Sequence, residues 1–123
     1  EGTWFYNGFS PIFALQRRGL MKGTAEQLQY IMRDEVMHCS FGLRVIKQIL
    51  IEENIQLDPQ AVQALWEEAE AAELDYANYL LEKPILGYNK ADHIEQFRFN
   101  LRKEKNFFET RVTEYQTGGA LNW

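Results

Sequence analysis

Cysteine occurs once in the chain, as Cys39. One thiol can form neither an internal disulfide nor a cysteine-rich zinc knuckle, so a reducing, cytoplasmic setting is the natural expectation. Long apolar runs are missing as well. Charged or amide side chains interrupt every stretch, as Lys47 and Gln48 do within Val45–Ile51, and none approaches the roughly 20 residues of a membrane helix. The basic start and apolar core of a signal peptide are absent. Basic residues do not dominate: 13 Lys and Arg face 18 Asp and Glu, for a formal charge of −5. Such a balance gives no general attraction to phosphate backbones or anionic lipid, so neither nucleic acid nor membrane is an expected partner. Strand signals are scarce too, because no alternating β-branched run is bounded by turn residues. An initiator methionine is also missing. Glu1 opens the chain inside an amphipathic pattern, and the expectation is a piece of a longer polypeptide.

What the 123 residues do contain is enough for one domain, at 46% apolar and 25% charged residues, with helical spacing in four places. The chain reads as all-α. Glu1, Phe5, Phe9 and Phe13 share one helical face, although Pro11 lacks the N–H that would bond Asn7 and should kink or break that helix. After the turn marked by Gly19 and Gly23, Thr24 with Gln27 predicts a capping-box start for a second helix running to about Glu53. Asp58 before Pro59 predicts an N-cap with proline at N1. The third helix should turn Val62, Leu65, Trp66, Ala69, Ala72, Tyr76 and Leu80 inward, with Pro84 bounding it. Asn89 or Asp92 can cap a fourth, with Ile94, Phe97 and Leu101 inward and Arg98, Arg102 and Lys103 toward solvent. The pattern fades after Phe108, and a flexible tail is expected over about 115–123.

The second helix carries the chemistry. Leu28, Ile31, Glu35, His38, Gly42, Val45 and Ile49 follow the 3-4 spacing of a bundle seam. A seam carboxylate one turn from an imidazole needs a counter-charge. Glu-x-x-His on an inward face is the half-site motif of di-iron and di-manganese carboxylate bundles, in which two such helices join two that give one Glu each, and these donors suit iron or manganese. The plainer reading is that Glu35 and His38 pair with each other, or with Arg33 or Arg44. Glu1 joins the metal reading because an acid on the Phe5–Phe9–Phe13 stripe needs an opposite charge. Cys39 falls off the seam and reads as a small packing residue.

Three ordered stretches, Glu1-Gly2-Thr3-Trp4-Phe5-Tyr6-Asn7-Gly8-Phe9, Arg33-Asp34-Glu35-Val36-Met37-His38 and Arg111-Val112-Thr113-Glu114-Tyr115-Gln116, resemble the C-terminal part of the small, radical-generating (beta) subunit of class I ribonucleotide reductase. That resemblance implies a ferritin-like helical bundle over residues 1–123, lacking its N-terminal half. It implies a dinuclear centre (Fe/Fe, Mn/Fe or Mn/Mn) with Glu1, Glu35 and His38 as three of six ligands. The other three ligands, and the radical-bearing tyrosine or its substitute, are expected in the part before Glu1. The implied activity is O2 activation that makes a stable oxidant, passed to a cysteine of the large (alpha) subunit, where ribonucleoside diphosphates become deoxyribonucleotides. Asp34 matches an aspartate that bonds a ligand histidine and a tryptophan on the radical path. Phe5, Phe9 and Ile31 match the apolar pocket around the radical site, and Tyr115 matches the relay tyrosine. The tail, with Leu121 and Trp123, resembles the peptide that docks on the large subunit. A homodimer is implied as well.

Two other classes remain open on the residues alone. A ferritin-like dimetal oxidase acting on a small molecule or lipid would need neither Tyr115 nor the tail. A metal-free helical interaction module would merely pair Glu35 with His38.

Overall fold

In the computed structural model, residues 2–116 are described, with side chains over 2–110. Four helices follow one another: α1 (Trp4–Arg17), α2 (Lys22–Glu52), α3 (Pro59–Leu80) and α4 (Lys90–Gln116). There is no strand among the described residues; the nearest thing is an isolated bridge between Ile85 and Tyr88. The all-α expectation therefore holds. Helix α4 is central and packs against each of the other three.

Local chemistry explains most of the boundaries. Asp58 caps α3 as expected, its Oδ1 accepting from the Gln60 N–H at 3.0 Å, with Pro59 opening the helix. Losing that acceptor removes a partner from an otherwise orphaned N–H, so Asp58→Ala should lower stability by about 1 kcal/mol, read by urea denaturation. Asn89 is the cap of α4. Its Oδ1 accepts from the Asp92 N–H at 2.9 Å while Asp92 Oδ2 accepts from the Asn89 N–H at 3.2 Å, a reciprocal pair that satisfies two end groups at once.

Four expectations are corrected. Helix α1 runs unbroken from Trp4 to Arg17 with Pro11 inside it, so the proline removes one bond without ending the helix. Helix α2 begins at Lys22, not at Thr24, because Met21 adopts a left-handed backbone (φ 49) as its N-cap after Gly19 (φ 78) has turned the chain. The turn is complete before Thr24 is reached. The inward face of α3 is displaced by about one residue: Leu65 and Tyr76 are exposed, whereas Glu73 and Ala77 are buried and Trp66 is half-buried. Finally, α4 continues past Phe108 to Gln116. Within it Phe97 and Leu101 are buried and Arg98, Arg102 and Lys103 are exposed, as the spacing predicts.

The core is small and lies between α1, α3 and α4. Phe9, Ala77, Leu81, Phe97 and Leu101 are its buried apolar members, with Ala25 and Leu50 where α2 joins. The Phe5, Phe9 and Phe13 rings stack along α1 at centroid distances of 4.8 and 6.4 Å.

Candidate functional site

Glu35 and His38 lie one turn apart on α2. His38 Nδ1 is 3.3 Å from Glu35 Oε2, the Glu35 side chain is 12% exposed and that of His38 is 53% exposed. The carboxylate is thus sheltered at the edge of the packed side while the imidazole stands at the border with solvent. Glu1 lies outside the described residues. Among the described residues no three His, Cys, Asp or Glu side chains converge to hold a metal ion. The donors present, a carboxylate oxygen and an imidazole nitrogen, suit iron or manganese. Two such donors are a third of the six that a dinuclear carboxylate bundle uses.

The seam itself is placed differently from its sequence reading. Ile31, Val45 and Ile49 are exposed, and so are Tyr30, Val36, Met37, Phe41 and Ile46. Phe41 reaches 66% exposure and Met37 63%. Helix α2 buries Ala25 and Leu50 and half-buries Met32, Cys39 and Leu43, so it packs through one side and leaves an apolar stripe uncovered on another. His38 sits within that stripe.

A third carboxylate stands nearby on α4. Cys39 donates its S–H to Glu104 Oε2 at 3.2 Å, and Glu104 also lies against Gly2, where any added side chain would run into it. Burial and the Glu104 hydrogen bond push the Cys39 thiol up to about 11, so it stays protonated, in keeping with a packing role. Tyr6 donates to the Met32 carbonyl at 2.8 Å. Burial raises its phenol, helped by the nearby Cys39, Glu104 and Glu35.

The other candidate residues are dispersed. Phe9 is buried and Phe5 is half-exposed against it. The Asp34 carboxylate is exposed, with Arg33 Nε at 3.7 Å. The Tyr115 backbone belongs to the last turn of α4; its side chain, and Leu121 and Trp123, lie outside the described residues.

Sequence reasoning missed a second constellation. Asn7 of α1, Glu73 of α3 and His93 of α4 are buried together. Asn7 Nδ2 donates to Glu73 Oε1 at 2.9 Å, and His93 Nε2 is 2.8 Å from the same oxygen. On the far side of the ring, Tyr88 Oη is 2.7 Å from His93 Nδ1. In one assignment the phenol donates to Nδ1, Nε2–H donates to the carboxylate, and the second amide proton of Asn7 points at the His93 carbonyl, 3.3 Å away, while Asn7 Nδ2 and His93 Nε2, 2.9 Å apart, converge as two donors on the same carboxylate oxygen. Burial pushes the Tyr88 phenol up to about 12, so it keeps the proton it donates. The signal available was the spacing of His93 with Phe97 and Asn100, all buried on α4.

Comparisons with known proteins agree on one family. The family model described as "Ribonucleotide reductase, small chain" matches residues 1–102. The ribonucleoside-diphosphate reductase subunit beta of Chlamydia pneumoniae is 38% identical over 155 residues, covering 100% of this chain and 44% of that protein. Subunit M2 of Rattus norvegicus is 32% identical over 145 residues, covering 99% of this chain and 37% of its own length. The small chain of Variola virus is 28% identical over 149 residues, covering 99% and 46%. The chain therefore spans about two fifths of the length of the curated relatives it matches.

Proposed function

The chain belongs to the ribonucleotide reductase small-chain family, and from that premise we propose that it forms the C-terminal part of the radical-generating subunit of ribonucleoside-diphosphate reductase. The observation that carries this reading is the sheltered Glu35 carboxylate one turn from His38 on α2, 3.3 Å apart, in a chain of this family. Glu35, His38 and Glu1 supply three ligands of a dinuclear iron or manganese centre. When bound, such a centre supplies one-electron oxidation at the expense of O2. The remaining ligands come from the N-terminal half of the subunit, which also covers the stripe formed by Met37, Phe41 and Val45. Contiguous exposed apolar side chains of this kind mark an interaction surface.

The chain's own residues then have distinct tasks. Glu35 neutralises and orients the metal locus, and His38 contributes a nitrogen whose ring is steadied by the carboxylate beside it. The buried Phe9 ring, with the half-exposed Phe5 and the exposed Ile31 once the N-terminal half covers them, excludes water from the region where an oxidising equivalent is kept. Asp34 orients a ligand histidine on the transfer path. Tyr115 relays the radical toward a large subunit, on which the Leu121 and Trp123 tail docks. The complete subunit acts as a homodimer in the cytoplasm; among the described residues no helix is long and apolar enough to cross a membrane.

Metal analysis with electron paramagnetic resonance of the complete subunit tests the site. His38→Ala should lose metal while helical content by circular dichroism stays unchanged. Unaltered metal content in that variant would refute the ligand assignment.

A further inference from the structure

Between α1, α4 and the Ile85–Tyr88 turn lies an open cleft of about 750 Å³. That volume is in the range of small-molecule sites. Arg17, Arg18 and Arg102 line it. Elsewhere Arg33 and Arg98 pair with Asp34 and Glu70. Among the described residues, by contrast, none of the three cleft arginines is within ion-pair distance of a carboxylate. In a chain of formal charge −5, gathering three unpaired guanidinium groups around one cavity leaves repulsion that an anion would relieve.

Asp92 and Glu95 also line the cleft, Asp92 accepting from the Asn89 N–H as part of the α4 cap, so three cationic groups face two acidic ones and the lining is net positive. The turn is rigid. Ile85 and Tyr88 exchange two backbone hydrogen bonds, at 2.9 and 2.8 Å, and Gly87 takes a φ of +84. An added Cβ at Gly87 would stand 2.8 Å from Arg18 Nη2. Glycine leaves room for the exposed Arg18 guanidinium to lie against the turn at the rim of the cleft. Beside the charge, Phe13 lies one turn from Arg17 on α1 and Phe99 one turn from Arg102 on α4; Phe99 is half-exposed, with Lys103 Nζ 5.8 Å from its ring centre.

We propose that this cleft binds a phosphate ester that carries a flat aromatic group, with the phosphate on Arg17, Arg18 and Arg102 and the ring against Phe13 and Phe99. The planar guanidinium fork matches oxyanions bidentately, which favours them over a halide, and a phosphate offers oxygens and charge enough for more than one guanidinium. Aromatic side chains stack on flat rings without regard to their sequence of substituents.

ATP and inorganic pyrophosphate, each titrated calorimetrically into the complete polypeptide, test the proposal. ATP should bind saturably with one site per chain, and pyrophosphate at the same site with lower affinity, because it lacks the ring. The Arg17→Gln/Arg102→Gln variant should weaken ATP by about tenfold or more, the scale of losing charge-assisted hydrogen bonds. Arg33→Gln, with the same change of charge on α2, should leave the affinity unaltered. The proposal is overturned by absence of saturable ATP binding at millimolar concentration, by pyrophosphate binding as tightly as ATP, or by equal weakening in Arg33→Gln. Phe99→Leu provides an independent reading: loss of ATP affinity with pyrophosphate affinity retained supports the ring site, and no change refutes it.

Discussion

Glu73→Ala is expected to destabilise the fold by about 3–5 kcal/mol, the scale for removing one member of a buried, hydrogen-bonded pair. The reason is what remains. His93 Nε2–H and Asn7 Nδ2 both point at Glu73 Oε1, at 2.8 and 2.9 Å, and with no carboxylate they become buried donors without acceptors. The void left by the side chain adds to that loss. Glu73→Gln keeps the volume and an acceptor oxygen, and should cost clearly less. Urea denaturation of both variants decides the matter. A loss below about 0.5 kcal/mol for the alanine variant, the scale of surface substitutions, would show that water already satisfies the cluster.

Tyr115→Phe should abolish nucleotide reduction by the complete subunit while metal content and the stored radical signal stay as in the unaltered protein. Phenylalanine keeps the ring but cannot be oxidised by losing a phenolic proton and an electron. Turnover is to be measured at saturating large subunit, so that any weakening of the tail interaction is removed from the comparison. Near-normal turnover would exclude Tyr115 as the relay, and a parallel loss of metal would mean that the substitution acts on the fold instead.

Both effects bear on how far the sequence could be read. The helices and their caps were legible wherever a local rule sufficed. Asp58 before Pro59, and Asn89 with Asp92, act within one turn and need no distant partner. The face of α3 was not legible, because alanines at 61, 64, 69, 71, 72 and 77 spread apolar character around the helix. Glu73 was invisible for a related reason. A carboxylate is read as solvated until its donors are known, and those donors come from positions 66 residues earlier and 20 residues later. The Glu35–His38 adjacency was legible since it lies within one turn. What covers Phe41 and Met37 was not, because periodicity marks an apolar stripe without saying which element meets it.

The cluster of Asn7, Glu73 and His93 also acts as a closure. Asn7 and Glu73 join the two ends of a long loop of chain, and α2 is wholly contained in it. Helix α1 cannot leave the assembly without breaking buried polar bonds, whereas α2 can swing out or fray while the clasp behind it stays shut. Opening α2 breaks the Tyr6–Met32 and Cys39–Glu104 bonds and uncovers Ala25 and Leu50, yet leaves the fully buried polar cluster intact. The segment that bears Glu35 and His38 is accordingly the one the architecture leaves free to accommodate a guest, with the three-helix remainder as its frame.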